Sequence, residues 1–338
     1  MNSDGTVRTM KQARQRGAAL LLAMIILVLV ATLAAGMVWQ QSRSVQIEAA
    51  ERAGVQAEWI LNGALDWARL ILREDTRSGG ADHLGEPWAT PLAEARLSTF
   101  LAVDRDNNAD ADSGPEAFLS GAISDAQARY NLFNVVGPDG KVVEAEQKAL
   151  ERLCDAAGLP TDTPARLAEG LRQARSGAAG AATASADGTT AADDTPLPPS
   201  RVSQLTWLGL DAATVARLEP YVVLLPVNTA VNVNTAVREV LVAAIDGLDL
   251  ATAERLVQRR QRAPFEKFED IKAELPTGMT PDEKRINVTT SYFYVDGRLR
   301  LEDRVLEQRS LVERRGANRG LEVVALQRER RTAQTGER

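Results

Sequence analysis

The chain has 338 residues, of which 40 are Lys or Arg and 46 are Asp or Glu, so its net charge is −6 at pH 7. This acidic balance weakly disfavours a nucleic-acid partner, because phosphates attract a basic surface. With one cysteine, Cys154, and one histidine, His83, the chain cannot form an intrachain disulfide and lacks the several ligands of a zinc site. His83 lies in a loop-like stretch, and we therefore predict neither enzymatic activity nor a resident cofactor.

An uncharged apolar segment, 17–39, dominates the amino-terminal region. It is long enough to cross a membrane, since roughly 20 apolar residues in a helix span a hydrocarbon core. Basic residues precede it, and the positive-inside bias therefore predicts a cytoplasmic amino end with the bulk of the chain on the other side. A cleaved secretory signal would have a shorter apolar core. A plain single-pass anchor remains an alternative.

The pattern after Trp39 becomes amphipathic, with apolar residues at spacings of three and four. No proline and no glycine-rich break interrupts it between Trp39 and Glu58. We therefore predict one long helix, in which 18–39 lies in the membrane and 40–75 continues beyond it.

Residues 76–136 are predicted to form loops and early strands, with a short helix around 92–103 and extended structure over 116–136. Acidic and amide residues alternate in one part of this region, as oxygen ligands do in the first half of a calcium loop. The pattern lacks the glycine of the tight turn, and Pro115 stands where a bidentate glutamate belongs, so a solvated loop is the competing interpretation. The calcium candidates are Asp104, Asp106, Asn108, Asp110 and Asp112.

The middle of the chain contains a repeat. Gly209–Leu218 matches Gly247–Leu256 at Gly, Leu, Asp, Ala, Thr, Arg and Leu, and a looser copy begins at Gly158. Glycine suits a left-handed turn after a helix, and Asp or Thr caps the next helix, so each copy predicts a helix-hairpin-helix unit. We predict two SAM-like bundles, 137–228 and 229–284, with a mobile Ala/Gly/Thr/Ser-rich linker at 176–199.

The third copy is similar to hairpins of DNA-uptake proteins, so a membrane-anchored DNA-binding protein is the main rival function. DNA-binding hairpins usually have two glycines in the turn, and here Asp249 stands at the second position. A carboxylate there would repel a phosphate, which favours a structural hairpin. We therefore expect no nucleic-acid partner.

Residues 285–328 return to strand-like alternation and predict antiparallel strands. Asp296–Gly297 is a typical tight-turn signal within them. The polar residues 329–338 are predicted to be a disordered tail.

The junction between Gly17 and Ala18 resembles the leader of type IV pilins and type II secretion pseudopilins. In these proteins a prepilin peptidase cuts after the glycine, and the resemblance implies that Ala18 becomes the N-methylated first residue. Leu22 stands where most pilins carry glutamate, which is typical of K-type minor pseudopilins. The segment Ile123–Asn134 is similar to a sequence of the same family, in which Asp125 and Arg129 would be structural and bond backbone or each other.

The chain is thus identified as a member of the general secretion pathway protein K family. The resemblance implies an α+β fold, in which a long amino-terminal helix packs on an antiparallel sheet and an all-α domain is inserted into the pilin body. It further implies a minor pseudopilin of the inner membrane that caps or initiates the pseudopilus with I- and J-type pseudopilins. Family members are associated with calcium. A tip minor pilin of a type IV pilus is the remaining alternative.

Overall fold

A computed structural model of the chain describes residues 5–97, 117–184, 196–301, 304–316 and 322–334. The chain divides into two compact units, Met1–Ile60 and Leu61–Arg338. The candidate calcium ligands at 104–112 lie outside the described residues.

The helices and strands follow one another along the chain in a clear order. The helices are α1 Gly5–Ser78, α2 Glu144–Ala156, α3 Thr163–Ala184, α4 Ala212–Leu218, α5 Arg238–Ala244, α6 Leu250–Arg262 and α7 Phe268–Glu274. The strands are β1 Leu92–Arg96, β2 Ala117–Asp125, β3 Tyr130–Asn131, β4 Val222–Val223, β5 Val231–Asn232, β6 Ile286–Asn287, β7 Tyr292–Leu301, β8 Arg304–Arg315 and β9 Glu322–Gln334.

The long helix α1 ends where the sequence supplies two adjacent glycines. Gly79 and Gly80 both adopt positive φ angles, 68° and 117°. Glycine takes this left-handed conformation without the steric cost that a Cβ would add, so the pair ends the helix. The helix continues to Ser78, slightly beyond the predicted boundary at residue 75.

A five-stranded antiparallel sheet forms the body of the second unit, in the order β1-β2-β7-β8-β9. β2 pairs directly with β7, from Ala117 opposite Leu301 to Asp125 opposite Phe293. The chain between these neighbouring strands, 126–291, contains helices α2–α7. The predicted fold class is therefore confirmed: a long amino-terminal helix, an antiparallel sheet and inserted helices.

One face of the sheet packs against the last part of α1. Leu65, Ala68 and Leu72 share a buried cluster with the strand residues Phe293 and Val295. The helical residues recur at spacings of three and four and the strand residues at a spacing of two, as expected for one buried face of each element.

Glycines allow a close approach at the centre of this face. Gly121 of β2 lies opposite Gly297 of β7. A Cβ on Gly121 would stand 2.8 Å from the carbonyl oxygen of Asp296, and one on Gly297 would stand 3.2 Å from Leu61 Cδ2. The predicted tight turn at Asp296–Gly297 is therefore wrong, because both residues lie within β7 and the glycine serves packing.

Each half of the inserted helical domain begins and ends in a two-residue parallel strand pair. β3 pairs with β4 around the first half, and β5 pairs with β6 around the second. The two halves nevertheless share one buried apolar cluster, which includes Leu150 and Leu167 of the first half and Val240 and Leu256 of the second.

Several predicted boundaries differ from the structure. The residues predicted as a short helix at 92–103 begin with strand β1, and the predicted linker at 176–199 is helical as far as Ala184. Residues 126–136 were assigned to the pilin body, but Tyr130 and Val135 are buried in the core of the helical domain. For residues 126–136 the tertiary packing outweighs local propensity.

The carboxyl-terminal boundaries also differ. Strand β6 lies in the stretch predicted to join the sheet from residue 285, yet it pairs with β5 in the helical domain. The predicted disordered tail at 329–338 is strand as far as Gln334, where β9 pairs with β8 and so gains backbone hydrogen bonds despite its polar sequence.

Candidate functional site

The amino-terminal part of α1 is suited to lipid rather than to a protein core. An apolar window of 18 residues in the helix from Ala18 has a mean hydropathy of 2.9, and none of this window is buried. Leu22 is 62% exposed, and this position therefore offers an apolar surface and no carboxylate. Gly17 and Ala18, the predicted cleavage junction, lie within α1. Cleavage there stays a prediction.

Asp125 is the centre of a buried polar junction between the sheet and the helical domain. Its carboxylate accepts hydrogen bonds from the backbone amide of Gln127 at 2.7 Å, from Asn232 Nδ2 at 2.8 Å and from Thr235 Oγ1 at 2.6 Å. Burial raises the pKa of Asp125, while hydrogen bonds from Thr235, Thr290 and Asn232 act in the opposite direction. Because Asp125 ends β2 and Asn232 and Thr235 begin the second half of the helical domain, the carboxylate ties the two parts together.

Two asparagines of the segment Ile123–Asn134 form hydrogen bonds to an irregular stretch of backbone. Asn131 donates to the Val227 carbonyl at 2.7 Å and accepts from the Leu225 amide at 3.2 Å. Asn134 donates to the Thr229 carbonyl at 2.8 Å and accepts from the Thr229 amide at 3.1 Å. A side-chain amide offers a donor and an acceptor and can therefore replace a missing backbone partner on each side.

Two further amides complete the junction. Gln127 donates to the Ala230 carbonyl at 2.8 Å and accepts from the Ser291 amide at 2.7 Å. Asn234 bonds both the carbonyl and the amide of Phe265 at 2.9 Å. All of these amide side chains are buried, so the chain from 225 to 235 is fixed by hydrogen bonds that water cannot readily replace.

Arg129 lies on a different surface from the one expected for a partner of Asp125. Its guanidinium is 5.7 Å from the ring centroid of Tyr294, and Arg309 lies 5.5 Å from the same ring. Such cation–π contacts stabilise modestly. Burial raises the pKa of Tyr294, so the phenol remains neutral between its two cations.

The repeat glycines all occupy left-handed turns. The φ angles of Gly158, Gly209 and Gly247 are 64°, 85° and 76°. The cap that follows is also repeated, because Asp211 accepts from the Thr214 amide at 2.9 Å and Asp249 accepts from the Thr252 amide at 2.8 Å. The copies at Gly209 and Gly247 therefore begin their second helices with the same side-chain cap.

In each of the first two hairpins, an arginine donates a hydrogen bond to the turn glycine of the other hairpin. Arg166 donates to the carbonyl of Gly209, and Arg217 donates to the carbonyl of Gly158. Each arginine stands eight positions after its own glycine, 158 to 166 and 209 to 217. The exchange is reciprocal, so the two copies form one paired module. Arg255 holds the same position in the third copy but donates to Thr252 Oγ1 at 2.9 Å within its own helix.

We predict that Arg166→Ala and Arg217→Ala each lower the free energy of unfolding by about 1 kcal/mol, because each removes a charge-assisted hydrogen bond to a turn carbonyl. Thermal and denaturant unfolding of the full chain in detergent would measure this. Arg172→Ala is the matched control, since Arg172 pairs with Glu169 on the surface of α3 and with no other acid in the described part of the chain. Effects no larger than that of the control would contradict the pairing.

The caps also bear on nucleic-acid binding. A phosphate at a hairpin would need free backbone amides at the start of the second helix. One carboxylate oxygen of Asp249 already accepts a hydrogen bond from the backbone amide of Thr252. Its second oxygen accepts one from Thr252 Oγ1 at 3.0 Å. The carboxylate therefore occupies the place of a phosphate, and DNA binding by the third hairpin is disfavoured.

One group of three acids lies at the end of α1. The carboxylates of Asp75, Asp82 and Glu86 approach one another within 4.8 Å. Arg314 of β8 lies among them, 3.0 Å from Asp75 and 2.7 Å from Asp82. A guanidinium thus already supplies the cation of this cluster, and we assign no metal to it.

The single cysteine and the single histidine both have structural surroundings. Cys154 is buried in the helical core, and burial raises the pKa of its thiol to about 12. His83 Nδ1 accepts a hydrogen bond from the Gly85 amide at 3.1 Å and so closes its own loop.

Sequence comparisons agree with this architecture. A family model described as "Type II secretion system (T2SS), protein K" matches residues 231–289, and a second one with the same description matches residues 128–227. The chain is 31% identical over 313 residues to the type II secretion system protein K of Pseudomonas aeruginosa, covering 86% of each chain. It is 27% identical to the protein K of Pectobacterium carotovorum subsp. carotovorum, covering 90% of this chain and 94% of that one.

A solved structure shares the fold. It is a chain of the GspK-GspI-GspJ complex from the enterotoxigenic Escherichia coli type 2 secretion system. The TM-score is 0.60 at 20% identity, and the match covers 84% of this chain and 98% of that one.

The apolar amino-terminal helix, the antiparallel sheet and the inserted helical domain define a pilin-like subunit of secretion machinery. More particularly, the chain belongs to the type II secretion system protein K family, whose members are minor pseudopilins.

Proposed function

We propose that the chain occupies the tip of the type II secretion pseudopilus, where it meets I- and J-type pseudopilins and helps to initiate the filament. The observation that supports this most is the helical domain inserted between β2 and β7. A subunit that carries this domain beside its sheet is too wide to stack repeatedly along a filament. The structurally similar chain comes from the GspK-GspI-GspJ complex of enterotoxigenic Escherichia coli.

The polar junction supports the same role. Asp125 and Asn232 tie the sheet to the helical domain through buried groups, so the two parts behave as one body. A cap must keep its wide part fixed relative to the part that contacts the filament. Loose tethering would permit the domain to swing aside.

Processing and orientation belong to the same proposal. A prepilin peptidase of the inner membrane cuts between Gly17 and Ala18, and the new amino terminus is methylated. The amino end is cytoplasmic and the second unit is periplasmic. With Leu22 in place of a glutamate, the subunit offers no carboxylate to the terminal ammonium of a neighbour, which suits a position with no subunit beyond it.

Gold labelling of pseudopili tests the tip position. The full-length protein would carry a small epitope at its carboxyl end, and the major pseudopilin with the same epitope would serve as the control. We expect label at one end of the filament for this protein and along the shaft for the control. Label along the shaft for both proteins would contradict the proposal.

DNA uptake is not favoured as a function, and no observation supports a type IV pilus over the secretion system. The hairpins that prompted the DNA hypothesis pair with each other or carry Asp caps on the amides that a phosphate would need.

A further inference from the structure

The acid cluster at the end of α1 carries more negative charge than its surroundings neutralise. Asp75, Asp82 and Glu86 contribute three carboxylates within 4.8 Å of one another, and Arg314 faces them from β8. Side-chain exposure is 10% for Asp75, 4% for Asp82 and 10% for Arg314. Like charges held this close and shielded from water cannot all remain ionised without cost.

Hydrogen bonds distinguish two of the three acids from the third. Burial raises the pKa of Asp82, while Arg314 and the Thr290 amide act in the opposite direction. Asp82 accepts from Arg314 through both oxygens at 2.7 Å and from the Thr290 amide at 2.7 Å. Glu86 accepts from Trp88 Nε1 at 2.7 Å and from the His83 amide at 2.8 Å.

The negative charge of Asp75 is stabilised by fewer hydrogen bonds than that of the other two acids. It accepts one hydrogen bond, from Arg314 Nη1 at 3.0 Å, and it faces Glu86. Burial, followed by the charges of Glu86 and Asp82, raises the pKa of Asp75 to about 6, while Arg314 acts in the opposite direction. Among the described residues, Glu86 and Asp82 from the loop and Arg314 from β8 are the charged groups that influence Asp75.

The cluster joins three parts of the second unit. Asp75 belongs to the last turns of α1, Asp82 and Glu86 to the loop that follows, and Arg314 to β8. Trp88, which is held by Glu86, packs edge-on against Phe293 with ring centroids 5.2 Å apart. A change in charge at Asp75 therefore acts on the contact between the end of α1, its loop and the sheet.

We propose that Asp75 donates a proton to Glu86, and that this shared proton is a pH-sensitive latch holding the end of α1 to its loop and to β8. Below the pH at which Asp75 ionises, the acids form a hydrogen-bonded pair and the single guanidinium suffices for the remaining charges. Above it, Asp75 and Glu86 repel each other and the latch weakens.

The sign of the pH dependence follows from a folded pKa that lies above the ordinary value of 3.8. The contribution to stability is complete below about pH 4 and is lost as pH rises through about 6. Each pKa unit corresponds to a tenfold change in the equilibrium constant. Raising the pH from about 5 to about 7.5 should therefore raise the unfolding equilibrium constant about tenfold through this group alone.

Unfolding of the full-length protein in detergent at these two pH values tests the latch. Asp75→Asn retains an oxygen for Arg314 and replaces the charge by an amide that can donate to Glu86, so we expect it to unfold with little of this pH dependence and to be more stable than the native chain at pH 7.5. Glu74→Gln is the matched control, because Glu74 is exposed and pairs with Arg77 three residues further along the same helix. His83 is common to all three proteins.

Infrared difference spectra provide a second measurement. A protonated carboxylic acid absorbs separately from a carboxylate, and we expect such a band near pH 5 that disappears as the pH rises to 7.5 and is absent in Asp75→Asn. Glu86→Gln gives the same tests if Asp75→Asn does not fold. The free energy of unfolding of the native chain can be compared with that of Asp75→Asn and that of Glu86→Gln. The proposal is overturned if both differences are independent of pH. It is equally overturned by calcium stabilising the native chain but not Asp75→Asn, since a cation rather than a proton would then neutralise the acids.

Discussion

Asp125→Ala should lower the free energy of unfolding by about 3–5 kcal/mol, because it removes the acceptor of a fully buried set of donors. The Gln127 amide, Asn232 Nδ2 and Thr235 Oγ1 would each lose a partner in a place that water does not reach freely. For a protein of this size, such a change should lower the melting temperature by about 4–7 °C. Unfolding of the full chain, followed by circular dichroism, measures it.

Two comparison variants separate the junction from a general sensitivity to lost charge. Asp66→Ala removes an exposed carboxylate that pairs with Arg69, and it should cost less than about 1 kcal/mol. Asp125→Asn keeps the shape of the side chain but places an NH2 donor among groups that are themselves donors. Its loss of unfolding free energy should therefore fall between those of Asp125→Ala and Asp66→Ala. Because the junction fixes the wide domain, Asp125→Ala should also reduce secretion in cells that express it at a normal level. Equal effects for the variants at 125 and 66 would contradict the role of the junction.

Gly121→Ala should be the other strongly destabilising change, with an expected loss of about 2–3 kcal/mol. The added methyl would lie 2.8 Å from the Asp296 carbonyl oxygen, which belongs to the backbone of β7 and cannot rotate away. The pair of strands would have to separate at the centre of the sheet.

A glycine of α1 supplies the opposite expectation. No atom of the described residues lies within 4 Å of the Cβ position at Gly63, and the residue is helical. Gly63→Ala should therefore stabilise the chain by up to about 1 kcal/mol through helix propensity. Gly121→Ala and Gly63→Ala should be measured side by side. If both change the free energy of unfolding in the same direction, the packing account is contradicted.

The elements with local signals were predictable from the sequence. The apolar run before Trp39 has the length of a membrane span, and the repeated Gly-Leu-Asp pattern places left-handed turns and Asp caps where the structure has them. Each of these features depends on residues close together in the chain, so periodicity and capping rules were sufficient.

The buried polar junction was not predictable in the same way. Asp125 finds Asn232 and Thr235 at separations of 107 and 110 residues, and no local pattern records such a pairing. The family-like segment Ile123–Asn134 marked the place, but its Asn and Gln side chains acquire their meaning only from the irregular loop they hold. Likewise, the ion pair of Asp82 with Arg314 joins residues 232 positions apart.

Glycine explains the clearest misprediction. Asp-Gly is a typical turn pair, and Asp296–Gly297 was assigned accordingly. In the structure, Gly297 continues β7 because its missing side chain leaves room for Leu61 of α1. A glycine needed for close approach and one needed for a turn look alike in a single sequence.

The mass of the amino-terminal peptide, from protein purified from membranes of cells with and without the prepilin peptidase, tests the central claim most directly. A pilin-class subunit predicts a chain that begins at methylated Ala18 when the peptidase is present and at the unprocessed leader when it is absent. A chain that retains its leader in both strains would contradict pilin-class assembly and leave a plain membrane anchor.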